Sequence, residues 1–192
     1  MGLPQEKDVR YTYADYLTWD DDVRCELIEG VPYMMASPSQ FHQEILLAFA
    51  MAFGNYLKGK PCKGFLAPFD VRLFPQNNNA DITVVQPDFL VVCDHSKLDG
   101  KSCNGAPDFV LEILSPSTSR KDRILKMAQY AWAGVKEFWI IDPKDMMLEK
   151  HVLVDGRYTS EWFDTTSAVP VEIFPGFEIN MADLFGEEET NA

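Results

Sequence analysis

The chain has 192 residues, 46% of them hydrophobic and thirteen of them phenylalanine, with a formal net charge of −13. That much apolar material can bury a sizeable core, which predicts a single domain over residues 11–185 between a flexible start (1–10) and a disordered acidic tail (186–192). The acidic balance opposes any broad, sequence-blind grip on nucleic acid, because such binding draws on clustered lysine and arginine.

In chain order, a short helical stretch over 13–19 leads into CELIEGVPYMMA, which reads as two strands about a turn at Glu29 and Gly30, an N-terminal β-hairpin. Ser37, Pro38 and Gln40 then spell a helix start, with Ser37 as cap, Pro38 in the first helical position and Gln40 as the reciprocal partner. Ile45, Phe49, Ala52, Phe53 and Tyr56 recur at helical spacing up to an end near Lys58 and Gly59. Three strand-like runs follow, GFLAPFDVRLF, ITVVQPDFLVV and PDFVLEILS, parted by the turn-rich PQNNNAD and DHSKLDGKSCNGA. The first two are expected to pair as a hairpin. Ser119 and Asp122 give a second capping signal, and RKDRILKMAQYAWAG runs as a helix to Gly134. EFWIID reads as a fully buried strand and LEKHVLVDGRYTSEWF as a hairpin turning at Asp155 and Gly156. A strand, a helix of some four turns and a second buried strand make a crossover, which demands that its two strands lie parallel. The predicted fold class is therefore α/β, built on a mixed β-sheet flanked by helices.

Cys25, Cys62, Cys93 and Cys103 form no CxxC pair and have no histidine at metal-ligand spacing, so no zinc site is expected and all four read as reduced thiols. The opening residues carry no apolar signal core, and no run approaches the eighteen or so apolar residues that a membrane span needs. A soluble cytoplasmic protein without a membrane partner is the expectation.

The acids are more informative. PDFLVV from Pro87 and PDFVLEILS from Pro107 set Asp88, Asp108 and Glu112 inside or beside buried strands. A buried carboxylate is costly unless it is protonated, paired, or holding something positive. Alternation puts Asp88 on one face with Gln86, Leu90 and Val92, and Glu112 on one face with Asp108, Val110 and Leu114. On neighbouring strands the two would enter one pocket, where an oxygen-only site suits Mg2+ or Mn2+, able to activate a water and to stabilise a phosphoryl oxygen. Asp108 reads instead as a turn residue, and Asp70 is expected to pair with Arg72. His42 shares the apolar stripe of the first long helix, where a histidine is more often structural. Glu29 sits where it can face the pocket mouth or serve only the turn. Arg120, Lys121, Arg123 and Lys126 form the densest basic cluster, at a helix start where positive charge opposes the macrodipole, and a phosphate-bearing substrate can approach there.

Taken as an ordered set, ELIEG, HQEI, PFDVRLF, VVQPDFLVVCD and APDFVLEILSPSTSRKDRILKMAQYAWAGVKEFWIIDP resemble the Uma-two family, over about residues 11–185. The resemblance implies membership of the restriction-endonuclease-like PD-(D/E)xK superfamily. It implies a core of helix, three-strand meander, crossover helix and further strand, with Mg2+ held by Asp88, Glu112 and Ile113. The superfamily lysine two residues after the glutamate is absent here, since that position is Leu114. Relatives can relocate it to the following helix, where Lys126 matches; the alternative is a solvated lysine paired with Asp122. The same resemblance points to His42, and after it Glu44, as the group that the first helix offers to the site.

Three functions remain open on the sequence. One is a Mg2+-dependent nuclease acting on DNA or another phosphate-containing substrate through a metal-activated water. The others are a non-catalytic binding or assembly domain on the nuclease fold, and a metal-dependent hydrolase of a small phosphorylated molecule. Trp132, Phe138 and Trp139 suit a homodimer surface as well as a core, so a homo-oligomer is expected.

Overall fold

The computed structural model describes residues 9–20, 24–115 and 121–186. The expectations for Ser119, Arg120 and both chain ends fall outside these residues, as do those for the side chains of Lys121 and Asp122.

Helix α1 (Tyr13–Tyr16) precedes β1 (Cys25–Ile28) and β2 (Val31–Met34), which pair antiparallel with Ile28 opposite Val31. Glu29 and Gly30 both adopt positive φ, 51° and 77°, as a two-residue type I′ turn requires. Helix α2 (Gln40–Leu57) starts later than the Ser37 signal implies, because Ser39 is its N-cap and takes the His42 amide at 3.2 Å. Gln40 then bonds Glu44 one turn ahead at 2.7 Å instead of reaching back. This start places His42 in the first turn, facing the sheet. Ile45, Phe49 and Phe53 follow it on the buried side, each worth about 1.5–3 kcal/mol of burial.

The runs GFLAPFDVRLF and ITVVQPDFLVV do pair, as two separate ladders. Pro68 and Pro87, which lack an N–H, interrupt both runs. Strand β3 (Lys63–Leu66) pairs with β6 (Phe89–Val92), while β4 (Asp70–Arg72) pairs with β5 (Val84–Val85) in a different sheet. A further strand, β7 (Ser102–Asn104), lies parallel to β4 inside the segment read as a linker. Strand β8 (Phe109–Ile113) is antiparallel to β6 and parallel to β9 (Glu137–Asp142). The crossover between them is a wide π-type coil over Lys121–Lys126 that continues as α3 (Met127–Ala133) and stops at Gly134, φ 92°. Strands β10 (Met147–Val154) and β11 (Arg157–Phe163) form the expected hairpin about Asp155 and Gly156. The small pair β12 (Ala168–Pro170) and β13 (Glu178–Asn180) and the helix α4 (Met181–Phe185) carry no strong sequence signal.

The result is a mixed six-stranded sheet, ordered β11-β10-β9-β8-β6-β3, with a five-stranded sheet, β2-β1-β5-β4-β7, and helices packed around it. On one face Phe89, Phe109, Leu111 and Trp139 meet α2 and α4. On the other, Leu90, Val110, Leu114 and Ile140 meet Val71 and Val85 of the smaller sheet and Tyr130 of α3. Phe138 and Trp139 are therefore core residues and unavailable to a partner, whereas Trp132 is 76% exposed beside Phe74. The expectation of four reduced thiols is corrected as well. The β3–β6 register sets Cys62 opposite Cys93, and the two form a disulfide with their Cα atoms 4.0 Å apart. That pairing is decided by strand register, which linear spacing does not reveal. Cys25 and Cys103 are free and buried. No described helix is long and apolar enough to cross a membrane.

Candidate active site

Extending the Phe89–Leu111 register by one residue brings Asp88 opposite Glu112 on neighbouring antiparallel strands. Both line one cavity of about 310 Å3. Asp88 Oδ2 accepts the Ile113 amide at 2.7 Å and lies 3.3 Å from His42 Nε2, an ion pair whenever the ring is protonated. Asp88 Oδ1 has no hydrogen-bond partner among the described residues, nor does the buried Nδ1 of His42.

Lys126 is only 1% exposed. Its Nζ lies 2.7 Å from Glu26 Oε1 and is paired with Glu112 Oε1, which also accepts the Tyr130 hydroxyl at 2.7 Å. This burial corrects the alternative of a solvated Lys126. Ile124 is turned outward, 58% exposed, while Lys126, Gln129 and Tyr130 face the sheet.

Glu26, absent from the candidates drawn from sequence, completes the pocket. It is 0% exposed, and its Oε1 also accepts the Gln86 main-chain N–H at 2.8 Å. Its signal was a charged residue inside the four-residue strand CELI, the argument already applied to Asp88 and Glu112. Glu29, three residues on, does not line the cavity. It is exposed at the hairpin turn and accepts from Gln129 Nε2 at 3.0 Å. Glu44 also points outward, bonded to Gln40. Asp108 ties β8 to its surroundings by accepting the Cys93 amide at 2.7 Å and pairing with Lys136 at 2.6 Å. Asp70 does not pair with Arg72, which bonds Asp81 through Nε at 3.0 Å. Instead Asp70 takes the Tyr13 hydroxyl at 2.9 Å and Gln86 Nε2 at 2.8 Å. Burial, and after it the Asp70 charge, pushes the Tyr13 and Tyr16 phenols above their ordinary value. Burial also pushes the Cys25 thiol up to about 11, with Glu26 and Asp70 adding to the effect.

Three carboxylates thus surround one lysine and one histidine, leaving a net negative pocket. Asp88 Oδ1, the opposing Glu112 and the Ile113 carbonyl, which in an extended strand faces the same neighbour as the Ile113 amide, are oxygen donors from residues that line the one cavity. No group of three or more histidine, cysteine, aspartate or glutamate side chains among the described residues forms a ready-made cage. Mg2+ does not need one, since it keeps several waters and is held through one or two carboxylates. The residues present fit such an ion.

A mixed sheet with a crossover between its parallel strands, with paired acids at its head and a buried lysine against them, defines a protein of the restriction-endonuclease-like class. The chain belongs to the Uma2 family, described as "Putative restriction endonuclease", whose profile matches residues 13–182. The fold is shared with a crystal structure of a "putative nuclease belonging to DUF820" from Anabaena variabilis. Its TM-score is 0.72 at 22% identity, over 91% of this chain and 97% of that one. The chain is also similar to the uncharacterized protein slr1290 of Synechocystis sp., 29% identical over 119 residues, 61% of this chain and 60% of that relative's length.

Proposed function

We propose that this pocket is the active site of a metal-dependent nuclease that hydrolyses phosphodiester bonds. The observation that carries the reading is Lys126, whose buried ammonium is held between Glu26 and Glu112 in the cavity that Asp88 also lines. It delivers from the crossover helix the cation that the superfamily pattern places on the strand, where Leu114 is packed into the core. Asp88, Glu112 and the Ile113 carbonyl are the groups that would hold Mg2+ or Mn2+. When bound, the ion supplies a water of lowered pKa and positive charge to offset the developing phosphoryl charge. The chain does the rest. The Ile113 amide and His42 fix the Asp88 carboxylate so that one oxygen stays available. Glu26 and Glu112 hold the Lys126 ammonium beside the acids, where its positive charge can steady a phosphoryl oxygen.

The test is cleavage of plasmid and single-stranded DNA with Mg2+ or Mn2+. Glu112→Gln and Lys126→Met should each lose about 100-fold or more. Undiminished cleavage by Glu112→Gln would overturn the assignment. Hydrolysis of a small phosphorylated molecule is a second reading, supported by the net charge of −13 and the modest cavity, and a panel of nucleotides and phosphodiesters run beside the DNA separates the two.

A further inference from the structure

We infer that the rim of this pocket is a phosphate subsite, formed by Arg24, Ser37 and Gln43, that takes the phosphate next to the scissile bond. The inference rests on the nuclease reading and adds the residues that select and seat the substrate. All three line the same cavity as Asp88 and Glu112. Arg24 stands two residues before Glu26, and the β1–β2 ladder reaches it through the Met35 amide, which donates to the Arg24 carbonyl at 2.9 Å. Strand alternation therefore puts the guanidinium on the face that carries Glu26. Ser37 leads into α2 and Gln43 follows His42 in its first turn, so the rim is built from the elements that also position the floor.

None of the three side chains has a hydrogen-bond or ion-pair partner among the described residues, and all three residues are exposed. Of the lysines and arginines lining the cavity, Lys126 is engaged by Glu26 and Glu112, which leaves Arg24 as the one whose charge is not matched by a carboxylate among the described residues. A phosphodiester approaching three carboxylates in a chain of net charge −13 is repelled unless a cation meets it first. A guanidinium flanked by a hydroxyl and an amide supplies that charge, and its paired N–H groups match two phosphate oxygens at once.

The experiment is fluorescence anisotropy of a labelled single-stranded oligonucleotide and of its duplex, with Ca2+ in place of Mg2+, over a salt series. Arg24→Gln should weaken binding about tenfold and make the slope of log K against log salt shallower by about 0.7 for the single strand or 0.9 for the duplex. Ser37→Ala and Gln43→Leu should weaken binding with the slope unchanged, since neither removes a charge. In turnover with Mg2+, Arg24→Gln should raise KM and keep kcat. Lys58→Gln, at the far end of α2 roughly 25 Å away, should change nothing. If wild-type protein binds and Arg24→Gln matches its affinity and slope, the rim assignment fails while the nuclease reading stands. A fall in kcat at unchanged KM also overturns it. If wild-type protein binds neither oligonucleotide, both fail together.

Discussion

Lys126→Met keeps the length of the side chain and removes its charge. Glu26 and Glu112 would then face each other, buried, with no ammonium between them. Breaking a buried ion pair by deleting one partner costs about 3–5 kcal/mol, against a total stability of about 5–15 kcal/mol for a typical domain. At about 2–4 °C per kcal/mol for a chain of this size, the midpoint of thermal unfolding should fall by roughly 6–20 °C. Calorimetry or far-ultraviolet circular dichroism reads this directly. The double variant Glu26→Gln/Lys126→Met should recover part of the loss, because one of the two stranded charges is gone, and the cycle should give a coupling of about 1–3 kcal/mol. A Lys126→Met protein that melts within about 2 °C of wild type would refute the reasoning, since it would mean that the ammonium is not engaged by these acids.

Three further outcomes are expected. With their thiols held at about 11 chiefly by burial, Cys25 and Cys103 are thiolate in only about one molecule in a thousand at pH 8; iodoacetamide should label neither in the native protein and both after denaturation, and rapid native labelling of either would count against the described packing. Burial holds the His151 imidazole below its ordinary value, so as pH falls below about 6.5 the unfolded chain takes up the proton first and stability is lost. Urea unfolding at pH 7.5 and 5.5 should show that loss in wild type and a smaller one in His151→Gln; equal losses would exclude His151 as the source. Ser39→Ala removes the α2 cap and should cost about 1 kcal/mol by urea unfolding, whereas Ser37→Ala should cost almost nothing; the reverse order would put the helix start back at Ser37.

Much of the architecture was legible because local chemistry and fold agree in those places. Glu29-Gly30 and Asp155-Gly156 can adopt the positive φ that tight hairpins demand, and Ile45, Phe49 and Phe53 fit no period but that of a helix. Asp88 and Glu112 stood out because acids interrupt apolar runs. What escaped depended on contacts distant in sequence. Pro68 and Pro87 are visible as interruptions, yet nothing local says that the halves on either side join different sheets. Arg72 finds Asp81 across a loop, not Asp70 two residues away, because the turn-rich PQNNNAD folds back and returns Asp81 to the end of β4. Glu26 is less conspicuous than Glu29 at the turn, and the burial of a single charge in a short strand shows only once β5 is packed against it. The wide coil that precedes α3 also escaped, since no residue in RKDRILK announces it.

That coil has a bearing on how this chain can tolerate change. The acids ride on strands and the ammonium on a helix, so their meeting depends on the rotation at which the helix starts. Each residue advances a helix by about 100°, so a single insertion ahead of Met127 would swing the amine away from the acids without altering one of them. The coil over Lys121–Lys126 therefore acts as a ruler, because its winding sets where the ammonium meets the acids.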